Sequence, residues 1–204
     1  MTDGDRWADA VLAVGVVNGL ASGALLAVEQ PVQVGVATDV YYHAARALLE
    51  GGQPYAVTPP GLSNFHFLYP PLVLLAMAPF GLLGGTTAAY ALQTVVSLAA
   101  GLALGRLLVR TVAAFRTSDG AGASRRTRLL LYAYALGSFS AASTLVMGQV
   151  NLVLAAGLAA GALALEPAAA PAPVRGWSRR RRETLAGALF AAVATVKLFP
   201  ALFG

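Results

Sequence analysis

The sequence contains no cysteine, which excludes disulfides, thiolate nucleophiles and any Cys-ligated metal centre. It is also poor in charge, with 11% Asp, Glu, Lys and Arg against about 25% in soluble domains. Lys197 is the only lysine among 14 basic residues. No Gly-rich phosphate loop, Ser/His/Asp set or metal-ligand spacing is visible, so those routes to phosphoryl transfer, hydrolysis or metal chemistry lack a motif here. What is present is apolar: 57% of the residues are hydrophobic. Several runs reach the roughly 20 residues needed to cross a bilayer core about 30 Å thick.

The net charge of +5 does not point to nucleic acid. Most arginines lie in two short loops between apolar runs, the distribution that the positive-inside rule gives membrane proteins. The chain therefore reads as an all-α integral membrane protein. One polytopic helical bundle over 1–204 is expected, with about five transmembrane helices plus outer juxtamembrane helices. Crossings are expected at about 10–28, 86–109, 129–147, 150–166 and 184–203, with an outer juxtamembrane module at 29–85. The basic loops 110–128 and 167–183 should be cytoplasmic because they hold Arg110, Arg116, Arg125, Arg126 and Arg128, then Arg175 and Arg179 to Arg182. The flank of the first run (Asp3, Asp5, Arg6, Asp9) is acidic, which favours an uncleaved signal-anchor helix over a signal peptide. The apolar segment 71–83 is too short to cross and contains Pro79; it is expected to lie in, or dip into, the outer interface. A two-span hairpin turning at Gly84 and Gly85 would instead strand five arginines outside.

Polar residues interrupt this pattern at a few places, all expected at the outer face. In 38–50, Thr38 can N-cap a helix and Gly51–Gly52 can end it. Asp39 and His43, Tyr42 and Arg46, and Arg46 and Glu50 then lie one turn apart, opposite an apolar face. Such a short amphipathic helix suits a membrane interface; the bland alternative is a solvated face with Asp39 complementing the helix dipole. "NFHFLYPPL" (64–72) sets His66 and Tyr69 among aromatic anchors, either an interfacial belt or the lip of a lipid groove. "GQVN" (148–151) offers Gln149 and Asn151, amides that can turn a hairpin or bond sugar hydroxyls. Lys197 stands in the last apolar run, where an ammonium calls for an anionic partner such as a lipid phosphate.

"TDVYYHAARALLEGGQPY", "FHFLYPPLVLLAMAPFGLL", "GQVNLVL" and "VKLFP", in that order, resemble glycosyltransferase family 87 over about residues 30–204. The resemblance implies part of a C-type glycosyltransferase fold and a polyprenyl-phosphate-mannose-dependent alpha-1,2-mannosyltransferase. It implies an inverting transfer from a lipid-phosphate sugar without a nucleotide donor, and maps the catalytic acid of the first outer loop onto Asp39; no cofactor or metal is expected. His43, Arg46, His66, Tyr69, Gln149, Asn151 and Lys197 are then candidates for substrate binding. Donor, glycan or glycolipid acceptor and membrane lipids are the expected partners, at the extracytoplasmic face of a plasma membrane. Family members carry further spans beyond the Lys-x-x-Pro region, so a truncated product is expected, or an N-terminal half with its C-terminal half encoded separately. The alternatives are half of a transporter or lipid flippase, or a non-catalytic membrane scaffold.

Overall fold

A computed structural model describes residues 3–115, 123–166 and 172–201. The segments 116–122 and 167–171 of the two basic loops, Arg116 with them, and the end of the last expected span, 202–204, lie outside the described residues. The chain is all-helical: α1 (Asp3–Glu29), α2 (Val36–Leu49), α3 (Pro71–Gly81), α4 (Thr86–Phe115), α5 (Arg125–Gly137), α6 (Phe139–Met147), α7 (Asn151–Leu165) and α8 (Arg179–Ala201). Among the described residues, two helices are long and apolar enough to cross a membrane, Arg6–Glu29 and Thr86–Ala114; a third crossing arises if the bent pair α5–α6 counts as one. The fold is that of a helical membrane protein.

How these helices pack follows from which residues they turn inward. Val14, Val17, Leu20 and Leu25 of α1 are more than half exposed, which costs nothing where the surroundings are hydrocarbon. The inward stripe is Gly15, Gly19 and Gly23, set against α5 and α6. A Cβ on Gly19 would stand 2.1 Å from the Gly137 carbonyl oxygen, so only glycine lets the two backbones meet. The same device recurs where Gly101 and Gly105 of α4 meet Leu136 and Tyr132, and where Gly161 of α7 meets Phe190 of α8. The run 129–147, expected as one crossing, is bent by 42° between α5 and α6. The bend falls at the pair Gly137–Ser138, a known kink chemistry, against the seat of Gly19.

At the arginine-bearing end of the bundle, Thr127 donates from Oγ1 to Asp9 Oδ1 at 3.0 Å. Arg126 Nε stands 3.3 Å from the other Asp9 oxygen, an ion pair that lacks hydrogen-bond geometry. Asp9 is buried, so this pairing compensates a charge that would otherwise be costly in an apolar setting. Ser124 caps α5 by accepting from the Thr127 amide at 3.0 Å. The start of α1 is thereby tied to the start of α5.

The opposite module is built around α2, which packs on α3, α4 and α6. The expectation that Thr38 caps this helix is corrected. α2 starts at Val36 behind Gly35, whose φ of 75° favours glycine. Thr38 is fully buried inside the first turn and donates instead to the Gly148 carbonyl at 3.0 Å. The helix ends at Leu49, followed by Gly51 with φ 74°, as its Gly–Gly pair anticipates. Val40, Tyr41 and Ala44 form a core with Phe67, Val73, Leu74 and Val150.

Candidate functional site

One flank of α2 forms the floor of a groove of about 520 Å³. Val36, Ala37, Val40 and Tyr41 supply the floor, Phe65, His66, Leu68 and Tyr69 one rim, and Met147, Gln149 and Lys197 the other. The 65–69 rim is held by its aromatics. Phe67 is 1% exposed and meets the Tyr41 ring edge-on at 6.3 Å. Tyr41 and Tyr69 share a hydroxyl hydrogen bond of 3.3 Å, and Tyr55 donates to the Tyr69 carbonyl at 3.0 Å. With Phe67 fixed inward, Phe65, His66 and Leu68 are left exposed. Burial and the neighbouring Tyr69 push the Tyr41 hydroxyl well above the ordinary phenol range, so it stays a neutral donor and acceptor.

The other rim is set by the turn between α6 and α7. Gly148 adopts φ 69°, and the surrounding carbonyls are met by side chains from elsewhere. Tyr90 donates to Leu145 at 2.9 Å and to Val146 at 3.2 Å. Gln93 donates to the Gln149 carbonyl at 2.9 Å and to Ser97 Oγ at 3.1 Å. The Gly35 amide donates to Val146 at 2.8 Å. Gln93 and Ser97 are 2% and 1% exposed inside the long α4 helix. Sequence reasoning passed over this pair, although a Gln and a Ser one turn apart in an apolar run are a readable signal. Asn151 donates to Thr144 Oγ1 at 3.3 Å and to Gln149 Oε1. Its Oδ1 is buried without a partner, so this amide serves the turn while Gln149 reaches the groove.

Asp39, His43 and Arg46 occupy another flank of α2. Arg46 Nη1 donates to the Tyr42 hydroxyl at 2.9 Å, and Nε pairs with Glu50 at 2.8 Å. Together with His43 they border a recess of about 330 Å³. Asp39 lies one turn before His43 and faces Thr86, at the start of α4. Its carboxyl is pushed above the ordinary aspartate value by burial, against the opposing pull of His43 and Thr86.

The eight candidates thus divide. His66, Tyr69, Gln149 and Lys197 surround the apolar groove, Asp39, His43 and Arg46 share the other flank, and Asn151 is tied into the α6–α7 turn. Among the described residues, no three His, Asp or Glu side chains gather closely enough to hold a metal ion. The arrangement can do two things chemically: shelter a long apolar chain beside cationic and hydrogen-bonding groups, and present a weakly basic carboxylate.

In comparison with known families, the sequence model of Glycosyltransferase family 87 matches residues 67–204. Tyr69, Gln149, Asn151 and Lys197 fall inside the matched stretch, and Asp39, His43, Arg46 and His66 precede it. No curated protein and no solved structure matches the chain.

Proposed function

Because the chain belongs to glycosyltransferase family 87, a family of membrane enzymes with sugar donors and acceptors, we propose that it moves a sugar from a polyprenyl-phosphate to an acceptor hydroxyl at the outer face of the plasma membrane. The sugar is mannose, the acceptor a glycan or glycolipid, and the transfer inverts the anomeric centre. The observation that carries this reading is the groove itself. Its lining is chiefly aliphatic and aromatic, yet Lys197 and His66 open onto it beside Tyr69 and Gln149. A polyprenyl chain needs the first property and a phosphate the second. Lys197, with His66, stabilises the departing lipid phosphate as charge develops on it.

Asp39 is the general base in this reading. It takes the acceptor hydroxyl proton while that oxygen attacks the anomeric carbon and the bond to the lipid phosphate breaks. A carboxylate raised by burial is a stronger base than a free one, and His43 and Thr86 orient it. The Arg46–Glu50–Tyr42 recess on the same flank offers the paired donors and acceptors that sugar hydroxyls bind. Asp39→Asn should lower transfer about 10²- to 10⁴-fold in membranes supplied with the polyprenyl-phosphate sugar, at an unchanged level of inserted protein. Retention of more than about a tenth of the rate would be far short of that loss and would reduce Asp39 to a structural acid.

A further inference from the structure

The first turns of α8 carry four consecutive arginines, and the structure treats them unequally. Arg179 pairs with Glu183 at 2.6 Å. Arg182 lines a recess with that pair and Leu165 of α7, where its Nε and Nη1 are buried without hydrogen-bond partners. Arg180 and Arg181 have no carboxylate partner among the described residues. They border a shallow groove of about 600 Å³ that is also lined by Trp177, which precedes the helix, and by Thr184, Leu185 and Ala188 further along it.

That order of chemistry has a direction. Trp177 is 41% exposed, the half-wet setting in which an indole sits at headgroup level. Two unpaired guanidinium groups come next, and guanidinium forks match phosphate oxygens. Beyond Thr184 the groove is aliphatic for another turn of helix. Charge complementarity therefore selects an occupant with an anionic head and an apolar tail. We infer that the groove at the start of α8 holds one anionic phospholipid, its phosphate between Arg180 and Arg181 and an acyl chain along Leu185 and Ala188. This site lies apart from the groove beside α2, shares no lining residue with it, and does not depend on the transfer reaction.

Tryptophan fluorescence reads the site directly. The chain has two tryptophans, so Trp7→Phe leaves Trp177 as the sole emitter. In phosphatidylcholine nanodiscs, phosphatidylglycerol with brominated acyl chains should quench Trp177 at mole fractions about 5- to 30-fold lower than brominated phosphatidylcholine, the preference that one or two arginine contacts provide. Arg180→Gln with Arg181→Gln should abolish the preference. Arg179→Gln with Arg182→Gln removes the same charge and should leave it. Equal quenching by the two lipids, or equal loss in both double variants, would overturn the site in favour of diffuse attraction. If neutralising Arg180 and Arg181 prevents insertion, Arg180→Lys with Arg181→Lys keeps the charge and removes the fork; an undiminished preference there would equally overturn it.

Discussion

Helices α1 and α2 are both rich in apolar residues, yet they are turned inside out relative to one another. α1 exposes its large side chains and buries its glycines: Val17 is 68% exposed, while Gly19 touches the backbone of α5 and α6. α2 does the reverse, burying Val36, Tyr41, Ala44 and Ala45 and leaving Arg46 and Glu50 outside. The difference lies in what each helix packs against. Hydrocarbon gives no reason to hide a valine, so α1 uses its inward face for close approach and dispersion contacts. The module around α2 instead packs its large side chains inward as an ordinary hydrophobic core.

Removing a large side chain should therefore matter in one region and not in the other. Phe67→Ala empties the centre of the aromatic cluster with Tyr41, Tyr55 and Tyr69 and should cost about 3–5 kcal/mol. Leu25→Ala on the outward face of α1 should leave thermal unfolding in detergent almost unchanged; equal losses would erase the distinction. The next effect is slightly smaller and of opposite character. Val17→Arg should cost about 2.5–3.5 kcal/mol of membrane insertion, read as the fraction of chain recovered in the membrane. Leu49→Arg, at an exposed position ending α2, should insert like the parent. Were Leu49→Arg the worse of the two, α2 rather than α1 would be the lipid-facing helix.

The smallest effect sharpens the proposal for Asp39. Its base form is lost as pH falls through its pKa, and burial has raised that pKa. The acid limb of the transfer rate should accordingly lie above the pH at which a free aspartate titrates. Thr86 pulls the value down by favouring the charged carboxylate. Thr86→Val should hence move the limb further up, by a fraction of a pH unit, with little change in the plateau rate. A downward shift or no shift would mean that Thr86 does not hold the charged form.

Much of this architecture was legible because it is local. Apolar runs and their Gly and Pro borders announce α1, α3, α4 and α7, and the pairing of Arg46 with Tyr42 and Glu50 follows from helical spacing alone. What escaped depends on distant partners. Thr38 has the chemistry of a cap, but its acceptor lies 110 residues away. Asp39 sits where the dipole favours charge, yet α4 packing on α2 helps to bury it, and no local pattern encodes that approach. Averaging over an apolar window concealed Gln93 and Ser97, since two polar side chains barely alter the hydropathy of a 30-residue helix. The kink at Gly137–Ser138 was written in the sequence but weighs little against the continuous apolar run around it.

The grip of Tyr90, Gln93 and Thr38 on the α6–α7 turn has a consequence for length. α7 has fifteen residues, about 22 Å of helix, short of a bilayer core of about 30 Å. A reversal normally has to surface, because the bare carbonyls of a helix end need solvent. Here those carbonyls find their donors within the protein, so the chain can change direction while still submerged. A short α7 is then sufficient, and the position of the turn is set by Tyr90 and Gln93 on α4 and Thr38 on α2.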